Sequence, residues 1–193
     1  MTSQFLLMRH AKSDWSSAYR HDFERPLNKR GHKDAARMGK WLLKNKLAPD
    51  RIICSPALRA RATAELVAGA VSIPLQDITD SESLYDADLN TALHVLIQAV
   101  EKGDRPVIIG HNPTLDALVE YLADAPPPRS ASGKLMTTAA VAGCEYGNSR
   151  ALLRLFRRRC RQSSRHRPRL PRRARIRHSL HHPHRCLPSK PSV

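Results

Sequence analysis

Apolar residues are distributed along the chain in two patterns, and each pattern predicts one type of secondary structure. Short continuous apolar runs, bounded by polar or helix-breaking residues, predict buried strands at Gln4–Met8, Arg51–Cys54 and Val107–Ile109. Two weaker runs predict strands at Leu75–Ile78 and Leu135–Val141. Runs without polar alternation are typical of strands covered on both faces, so they favour a largely parallel sheet.

Between these runs, apolar residues recur at helical spacing. The predicted amphipathic helices cover Asn28–Lys46, Ala57–Ala70, Asn90–Val100 and Thr114–Leu122. Residues 124–134, with the sequence DAPPPRSASGK, are predicted to form a loop because prolines and small polar residues cannot hold a regular element. Strands that alternate with helices predict an α/β fold of three layers, with helices on both faces of a mostly parallel central sheet.

The positive charge of the chain is concentrated near its C-terminus. The formal net charge is +16, and residues 143–193 hold 15 of the 33 Lys and Arg residues but one of the 17 Asp and Glu residues. The rest of the chain has the nearly balanced charge of an ordinary globular domain. The basic part is rich in Arg, Pro, His and Ser without apolar periodicity, and such a segment cannot form a core. We therefore predict a domain at residues 1–142 and a disordered tail at residues 143–193.

Three interpretations of this tail stay open. The favoured one is out-of-frame translation of a GC-rich gene that begins between Gly143 and Cys160, because Arg almost completely replaces Lys there. The second is an arm that binds nucleic acid through its arginine clusters. The third is zinc binding, although the ligand spacing fits no standard site. The candidate zinc ligands are Cys160, His166, His178, His181, His182, His184 and Cys186.

The domain has the features of a cytoplasmic protein. Cys54 is the one cysteine of residues 1–142 and lies in a predicted apolar strand, which is typical of a reduced core residue rather than of a disulfide. The N-terminal sequence lacks the pattern of a signal peptide, and no run approaches the roughly 18 apolar residues of a membrane helix. We therefore expect a cytoplasmic location.

Three predicted strands are followed by residues that can carry positive charge. Arg9 and His10 follow the first strand, Arg59 comes shortly after the second, and His111 follows the third. Ligands of open α/β sheets bind beyond the carboxyl ends of the strands, so we expect these four side chains to form one cationic pocket for an anion. Taken singly, His10 could be a solvated strand end, His111 a turn residue and Arg59 a solvated helix residue. The conjunction of three such corners favours the pocket.

Two of these corners also carry a signal for the start of a helix. Ser55 is a suitable N-cap and Pro56 a suitable first helical residue, so we expect a helix to begin there with its amide groups facing the pocket. Asn112 and Pro113 repeat this arrangement after the third strand. The first helix end would then favour a bound anion, and the second arrangement places His111 at another strand-to-helix corner.

The motifs at the three corners resemble those of a known family. The sequences LLMRHAKSDW, SPALRARAT and IIGHNPTL, in this order, are similar to the motifs of the histidine phosphatase superfamily, whose fold is phosphoglycerate mutase-like. The family signature is Arg-His-Gly, whereas this chain has Arg-His-Ala. With the following DFERPLNKRG, the chain resembles the SixA-type phosphohistidine phosphatase branch. The resemblance covers about residues 3–142.

The resemblance implies a role for each residue of the pocket. His10 would be the nucleophile, which takes the phosphoryl group and then loses it to water. Arg9 and Arg59 would hold the phosphoryl oxygens, and His111 would stabilise the developing charge. Arg25, in the DFERPL motif, would either bind phosphate at the rim or only anchor its own loop. No metal or other cofactor is implied, and the sequence contains neither HExxH nor paired CxxC motifs.

The resemblance also bears on the substrate. Many members of the superfamily use a carboxylate as general acid for an alcohol leaving group, and the candidates here are Glu82, Asp86 and Asp88. We interpret these three as loop-solvating acids, because a phosphoramidate can be protonated on its leaving nitrogen and needs less enzymic help. The predicted function is hydrolysis of phosphohistidine in a protein. A small phosphomonoester as substrate, or a non-catalytic module that binds phosphoproteins or nucleic acid, stays open.

Overall fold

The computed structural model of the chain describes residues 3–16, 21–102, 105–123, 125–130, 133–146 and 179–181. Within these ranges the strands are β1 (Ser3–Arg9), β2 (Arg51–Cys54), β3 (Ile78–Asp80), β4 (Pro106–Gly110), β5 (Val141–Tyr146) and β6 (Ser179–His181). The helices are α1 (Lys29–Lys44), α2 (Leu58–Val71), α3 (Leu89–Val100) and α4 (Thr114–Leu122). Short 3-10 turns lie at Asp22–Glu24, Leu75–Asp77 and Glu82–Leu84. No helix in these ranges is both long enough and apolar enough to cross a membrane.

The described strands form one mixed sheet in the order β3-β2-β4-β1-β5-β6. The strands β3, β2, β4 and β1 are parallel to one another. β5 is antiparallel to β1, and β6 is antiparallel to β5. The predicted α/β fold with a mostly parallel central sheet is confirmed.

The side chains of β1 alternate between two cores, one on each face of the sheet. Phe5 and Leu7 pack with the buried sides of α3 and α4. Leu6 and Met8 pack with the buried sides of α1 and α2. All four side chains are at most 1% exposed. A strand covered on both faces has no polar side, and this explains the continuous apolar run in the sequence.

The strand predicted at Leu75–Ile78 begins later than expected. Its first three residues form a 3-10 turn after Pro74, and Leu75 is 51% exposed. Strand β3 starts only at Ile78, which is buried and pairs with Ile52 of β2. The predicted segment therefore covers mainly the turn before β3 and only the first residue of the strand.

The strand predicted at Leu135–Val141 is mostly a buried loop, and β5 begins only at its last residue. In the described part of the chain, the main-chain groups of Met136 form hydrogen bonds with side chains and not with a neighbouring strand. Its N–H donates to Asp116 Oδ1 (2.8 Å), and its carbonyl accepts from Arg9 Nη1 (2.9 Å). Ala139 has a φ of 60°, outside the range of a strand residue. The apolar run here reflects burial without strand pairing.

The predicted domain boundary after Ala142 falls inside β5. Cys144 and Tyr146 of this strand are buried, and the ring centroid of Tyr146 lies 5.8 Å from that of Phe5. Within the predicted tail, the structure describes the end of β5 and the main chain of β6, which pairs with β5. The arginine clusters, the side chains of the candidate zinc ligands and most of the segment assigned to out-of-frame translation lie outside the described residues.

Candidate active site

Three strand ends meet at one edge of the sheet. β2, β4 and β1 are neighbours, and the register places Arg9 beside Gly110. Main-chain hydrogen bonds continue past the strand ends. The His10 N–H donates to the Gly110 carbonyl (3.1 Å), and the Ser55 N–H donates to the Ile109 carbonyl of β4 (3.0 Å). The ring centroids of His10 and His111 consequently lie 5.0 Å apart. This is the edge at which the sequence predicts an anion pocket.

His10 forms the floor of this pocket and is 6% exposed. Its Nδ1 lies 2.8 Å from the Ala11 carbonyl. A carbonyl can only accept, so Nδ1 carries the proton and Nε2 keeps its lone pair. Burial is the main cause that lowers the pKa of His10 to about 3; the bond to Ala11 opposes the shift, and His111 and two nearby arginines reinforce it. The ring is therefore neutral near pH 7, which is the state that a nucleophile needs.

The segment after His10 is held by α2. The Ala11 N–H donates to Thr63 Oγ1 (3.1 Å), and the Thr63 hydroxyl donates to the Arg59 carbonyl (2.6 Å). Thr63 is fully buried. Because the same threonine contacts both segments, the position of His10 is coupled to that of Arg59.

Arg9 lies beside His10 at the end of β1. Its Nη1 donates to the Met136 carbonyl (2.9 Å), while its Nε is buried and has no partner among the described residues. Burial lowers the pKa of Arg9, and the nearby Asp116 opposes the shift. A guanidinium keeps its charge in proteins, so Arg9 offers a buried, unused N–H donor to the pocket.

Arg59 is in the first turn of α2 and is 5% exposed, so it is not a solvated helix residue. Its Nη2 donates to Asp22 Oδ2 (2.7 Å) and its Nη1 to the Asp22 carbonyl (2.6 Å). Its Nε is buried without a partner in the described part of the chain. The guanidinium thus contacts Asp22 with its outer nitrogens and leaves Nε unused.

Arg25 lies next to Arg59 and is joined to it through Asp22. Its Nη2 lies 2.7 Å from Asp22 Oδ1, and its guanidinium stacks 3.6 Å above the ring centroid of Trp15. Its Nε and Nη1 are buried and have no partner within the described ranges. Arg25 therefore both anchors its own loop and lies at the edge of the group of arginines.

The predicted cap at Ser55 is wrong. α2 begins at Leu58 with Ala57 as its N-cap, and no side chain caps it. The Ser55 hydroxyl accepts from the Ala57 N–H (3.3 Å) and lies 2.8 Å from His111 Nε2. Ser55 therefore forms a local turn and contacts the pocket, and the helix begins three residues after it. Ser55 therefore contacts His111 and does not cap the helix, although serine is a preferred N-cap residue.

The predicted cap at Asn112 is also wrong. The N-cap of α4 is Pro113, which has no side-chain donor or acceptor, and the helix starts at Thr114. The Asn112 Nδ2 donates instead to the Met136 carbonyl (3.1 Å), the group that Arg9 also contacts. Asn112 thus supports the loop that positions Arg9.

His111 closes the other side of the pocket. In the tautomer in which the Ser55 hydroxyl donates to His111 Nε2, the ring proton of His111 is on Nδ1. This Nδ1 is buried without a partner among the described residues. Burial is the main cause that lowers the pKa of His111 to about 4; nearby arginines reinforce the shift, and Asp22 opposes it. His111 can therefore act as a neutral N–H donor.

The three loop acids do not join the pocket. Glu82 and Asp86 are exposed. Asp88 accepts from the Thr91 N–H (2.8 Å) and caps α3. Within the described ranges, none of the three bonds to an arginine or a histidine of the pocket. This arrangement agrees with their interpretation as loop-solvating acids.

The sequence carries little signal for two residues of the site. Asp22 contacts both Arg25 and Arg59. The Tyr85 ring meets His111 and Phe23 edge-on, with centroids 5.9 and 5.1 Å apart. Both residues belong to connecting segments, where apolar periodicity carries no information. The i,i+3 spacing of Asp22 and Arg25 is the one hint that the sequence contains.

The assembled site can bind a tetrahedral anion and attack it. The arginines and His111 carry buried N–H donors without partners among the described residues, and a buried donor left unpaired is costly unless a ligand accepts from it. A neutral imidazole with a free lone pair lies beside them. In the described residues, no three His, Cys, Asp or Glu side chains cluster so as to hold a metal ion.

Comparison with known proteins assigns the family. The model of the histidine phosphatase superfamily (branch 1) matches residues 5–91. An uncharacterized protein of Mycobacterium tuberculosis is 36% identical over 135 residues, which are 70% of this chain and 76% of that protein. The chain belongs to the histidine phosphatase superfamily. It is a phosphatase, and the predicted family is confirmed.

The relatives of this histidine phosphatase include members of the SixA branch. The phosphohistidine phosphatase SixA of Escherichia coli (strain K12) is 29% identical over 147 residues, which cover 76% of this chain and 87% of SixA. A solved structure of the protein histidine phosphatase SixA complexed with tungstate has a TM-score of 0.63 and 27% identity, and covers 73% of this chain and 86% of that one. The predicted resemblance to the SixA-type branch is confirmed.

Proposed function

We propose that this phosphatase hydrolyses phosphohistidine in a protein through a covalent intermediate on His10. The observation that carries the proposal is the state of His10, a buried neutral imidazole with Nδ1 bonded to the Ala11 carbonyl (2.8 Å) and a free lone pair on Nε2. Arg9 and Arg59 lie near it and carry N–H donors without partners among the described residues. Such a site combines a nucleophile with electrostatic stabilisation of a phosphoryl group.

The reaction has two displacement steps. First, His10 Nε2 attacks phosphorus in line, and the Nε2–P bond forms as the P–N bond to the substrate imidazole breaks. The bonding electron pair stays on the departing ring nitrogen, and the ring leaves neutral because its other nitrogen is already protonated. The Ala11 carbonyl then accepts from Nδ1–H of the phosphorylated, cationic His10. Second, water attacks phosphorus, loses one proton to solvent, and releases phosphate and neutral His10.

The remaining site residues act on charge and position. Arg9 and Arg59 donate from their unpaired Nε atoms to the phosphoryl oxygens, and His111 donates from Nδ1. Arg25 binds phosphate at the edge of the pocket with Nε or Nη1. Phosphoryl transfer gains mostly from such positioning and electrostatic stabilisation. We propose that no metal ion takes part.

Two observations support phosphohistidine over a phosphomonoester. An alkoxide leaving group needs a general acid, yet the three loop acids make no bond to the pocket within the described part of the chain. The relatives support the same substrate, since SixA of Escherichia coli is named a phosphohistidine phosphatase and the SixA of the solved structure is named a protein histidine phosphatase. The buried free thiols of Cys54 and Cys144 support the further proposal of a cytoplasmic location.

The test is phosphate release from a histidine-phosphorylated carrier domain, without added metal. We expect His10→Ala to reduce the rate by at least about 10³-fold, because the nucleophile is lost. His94→Ala, which removes an exposed histidine on α3, is the matched control and should keep the wild-type rate. The covalent intermediate is identified by the acid stability of the phosphoryl label that remains on the phosphatase after quenching. A label on His10 should be lost in acid, since phosphohistidine is acid-labile.

The alternatives make different predictions in the same assay. A phosphomonoesterase would turn over small esters much faster than the phosphorylated carrier, and Glu82→Gln or Asp86→Asn would abolish that activity. A binding module would retain the phosphorylated carrier without releasing phosphate. Either result, or full activity of His10→Ala, would contradict the proposed function.

A further inference from the structure

Asp22 bridges two arginines of the pocket and is itself half exposed. Its Oδ1 and Oδ2 each lie 2.7 Å from a guanidinium, of Arg25 and Arg59 respectively. The Asp22 side chain is 50% exposed, whereas the side chains of Arg25 and Arg59 are 10% and 6% exposed. The carboxylate therefore lies at the mouth of the pocket, with buried cations behind it and solvent in front of it.

In-line attack directs the leaving group toward this mouth. His10 is buried at the floor, and a nucleophile that attacks from the floor expels the leaving group in the opposite direction. The phosphoryl group binds the unpaired Nε of Arg59, so Asp22 keeps its contacts with the outer nitrogens and stays at the mouth. A carboxylate has about four lone-pair sites, so the half-exposed Asp22 can accept from the departing group in addition to the two arginines.

We propose that Asp22 selects the leaving group: its carboxylate accepts a hydrogen bond from the free ring N–H of the phosphohistidine imidazole. This inference rests on the proposed function. The bond keeps the second ring nitrogen protonated while the P–N bond breaks, so the ring leaves as neutral imidazole and no further proton donor is needed. An ester leaving group develops negative charge instead, which the carboxylate repels. Asp22 therefore favours phosphoramidates over phosphoesters.

The state of Asp22 agrees with this role. Burial alone would raise its pKa, but Arg59 and then Arg25 outweigh burial and lower the pKa of the carboxyl group. Asp22 is thus an anion near pH 7 and can accept a hydrogen bond from a ring N–H. Tyr85 lies at the same mouth, since its ring contacts His111 and Phe23 and its hydroxyl bonds to Asp22.

The test compares Asp22→Asn with Glu24→Gln on two substrates, a histidine-phosphorylated carrier domain and p-nitrophenyl phosphate. Asp22→Asn preserves shape but removes the charge; we expect kcat/KM for the carrier to fall about 10- to 100-fold. For the ester we expect a rise of about two- to fivefold, because the leaving phenolate is no longer repelled. Glu24→Gln makes the same charge change in the same exposed turn and should alter neither value.

A pH profile separates this role from a structural one. In the wild type the carboxylate raises the pKa of the ring N–H of the bound substrate, so the basic limb of kcat for the carrier should move to lower pH in Asp22→Asn. Equal loss on both substrates, an unmoved basic limb, or no loss on the carrier would overturn the inference while leaving the proposed function intact. A wild type that does not hydrolyse the carrier would overturn the proposed function and this inference together.

Discussion

His10 and His111 have pKa values of about 3 and about 4 in the folded protein, below the ordinary 6.5, chiefly because both rings are buried. In the unfolded chain each ring binds a proton as the pH falls below 6.5. The folded state does not bind these protons until about pH 4 and below, so the free energy of unfolding decreases as the pH falls through this interval. The slope for each ring is at most about 1.4 kcal/mol per pH unit.

Replacing His10 by Asn should remove one of these two contributions. Between about pH 7 and about pH 5, we expect the wild type to lose about 2 kcal/mol more of its free energy of unfolding than His10→Asn loses. Urea unfolding followed by circular dichroism at both pH values measures the difference. Equal losses in wild type and His10→Asn would mean that folded His10 takes up a proton like a free imidazole.

The sequence predicts the residues at the strand ends better than those in the connections. Each of the four predicted pocket residues ends a strand or comes shortly after one, and parallel strands that alternate with helices end at one edge of a sheet, so topology alone brings them together. Asp22 and Tyr85 lie in segments whose course depends on tertiary contacts. The pairing of Asp22 with Arg59, 37 residues away, cannot be read from local spacing.

At the scale of elements, burial and strand pairing are separate properties, and the sequence reports mainly the first. β2 and α4 have the predicted bounds because their apolar patterns end at strong breakers. The run Leu135–Val141 is as apolar as a strand, but its main chain is held by side chains of α4 and Arg9. Ser55 likewise has the chemistry of a cap, but it bonds to His111. In both cases a contact distant in sequence overrides the local preference.

The contact between α1 and the segment after His10 leaves no room for a side chain. The Lys12 carbonyl accepts from the Asn28 N–H (3.0 Å), and a Cβ on Gly31 would lie 2.1 Å from the Lys12 oxygen. Gly31→Ala must therefore displace this segment or the helix. We expect a loss of about 1–3 kcal/mol in the free energy of unfolding and reduced phosphatase activity, because the segment continues directly from His10.

Chemical denaturation and the phosphatase assay check this prediction together. Gly69→Ala in α2 is the matched control, because Gly69 is exposed and a Cβ at this position would meet no other atom within 4 Å. That substitution should stabilise the protein by up to about 1 kcal/mol, since alanine is the better helix former. If Gly31→Ala were as stable as the wild type, the close approach of α1 to Lys12 would not exist in solution.

At the scale of the molecule, composition and structure mark different ends of the domain. The charge pattern changes near Gly143, yet β5 continues through Tyr146 and pairs with β1 along its whole length, from Val141 beside Met8 to Tyr146 beside Ser3. We therefore propose that the domain extends to Tyr146 and that the basic tail follows it. Composition does not reveal the end of the domain at Tyr146, because the last residues of β5 carry too few charges to be distinguished from the domain or from the tail.

Two shortened chains distinguish these boundaries. A chain that ends at Ala142 loses Cys144 and Tyr146 from the core, and removal of one buried aromatic side chain alone costs about 3–5 kcal/mol, a large part of the stability of an ordinary domain. We expect it to be unfolded by circular dichroism and inactive.

A chain that ends at Tyr146 keeps β5 and every residue of the proposed site, and among the described contacts it loses the three-residue pairing with β6. It should fold, retain phosphatase activity and lose any salt-sensitive binding of nucleic acid that the arginine-rich tail confers. An active chain ending at Ala142, or an inactive one ending at Tyr146, would contradict this boundary.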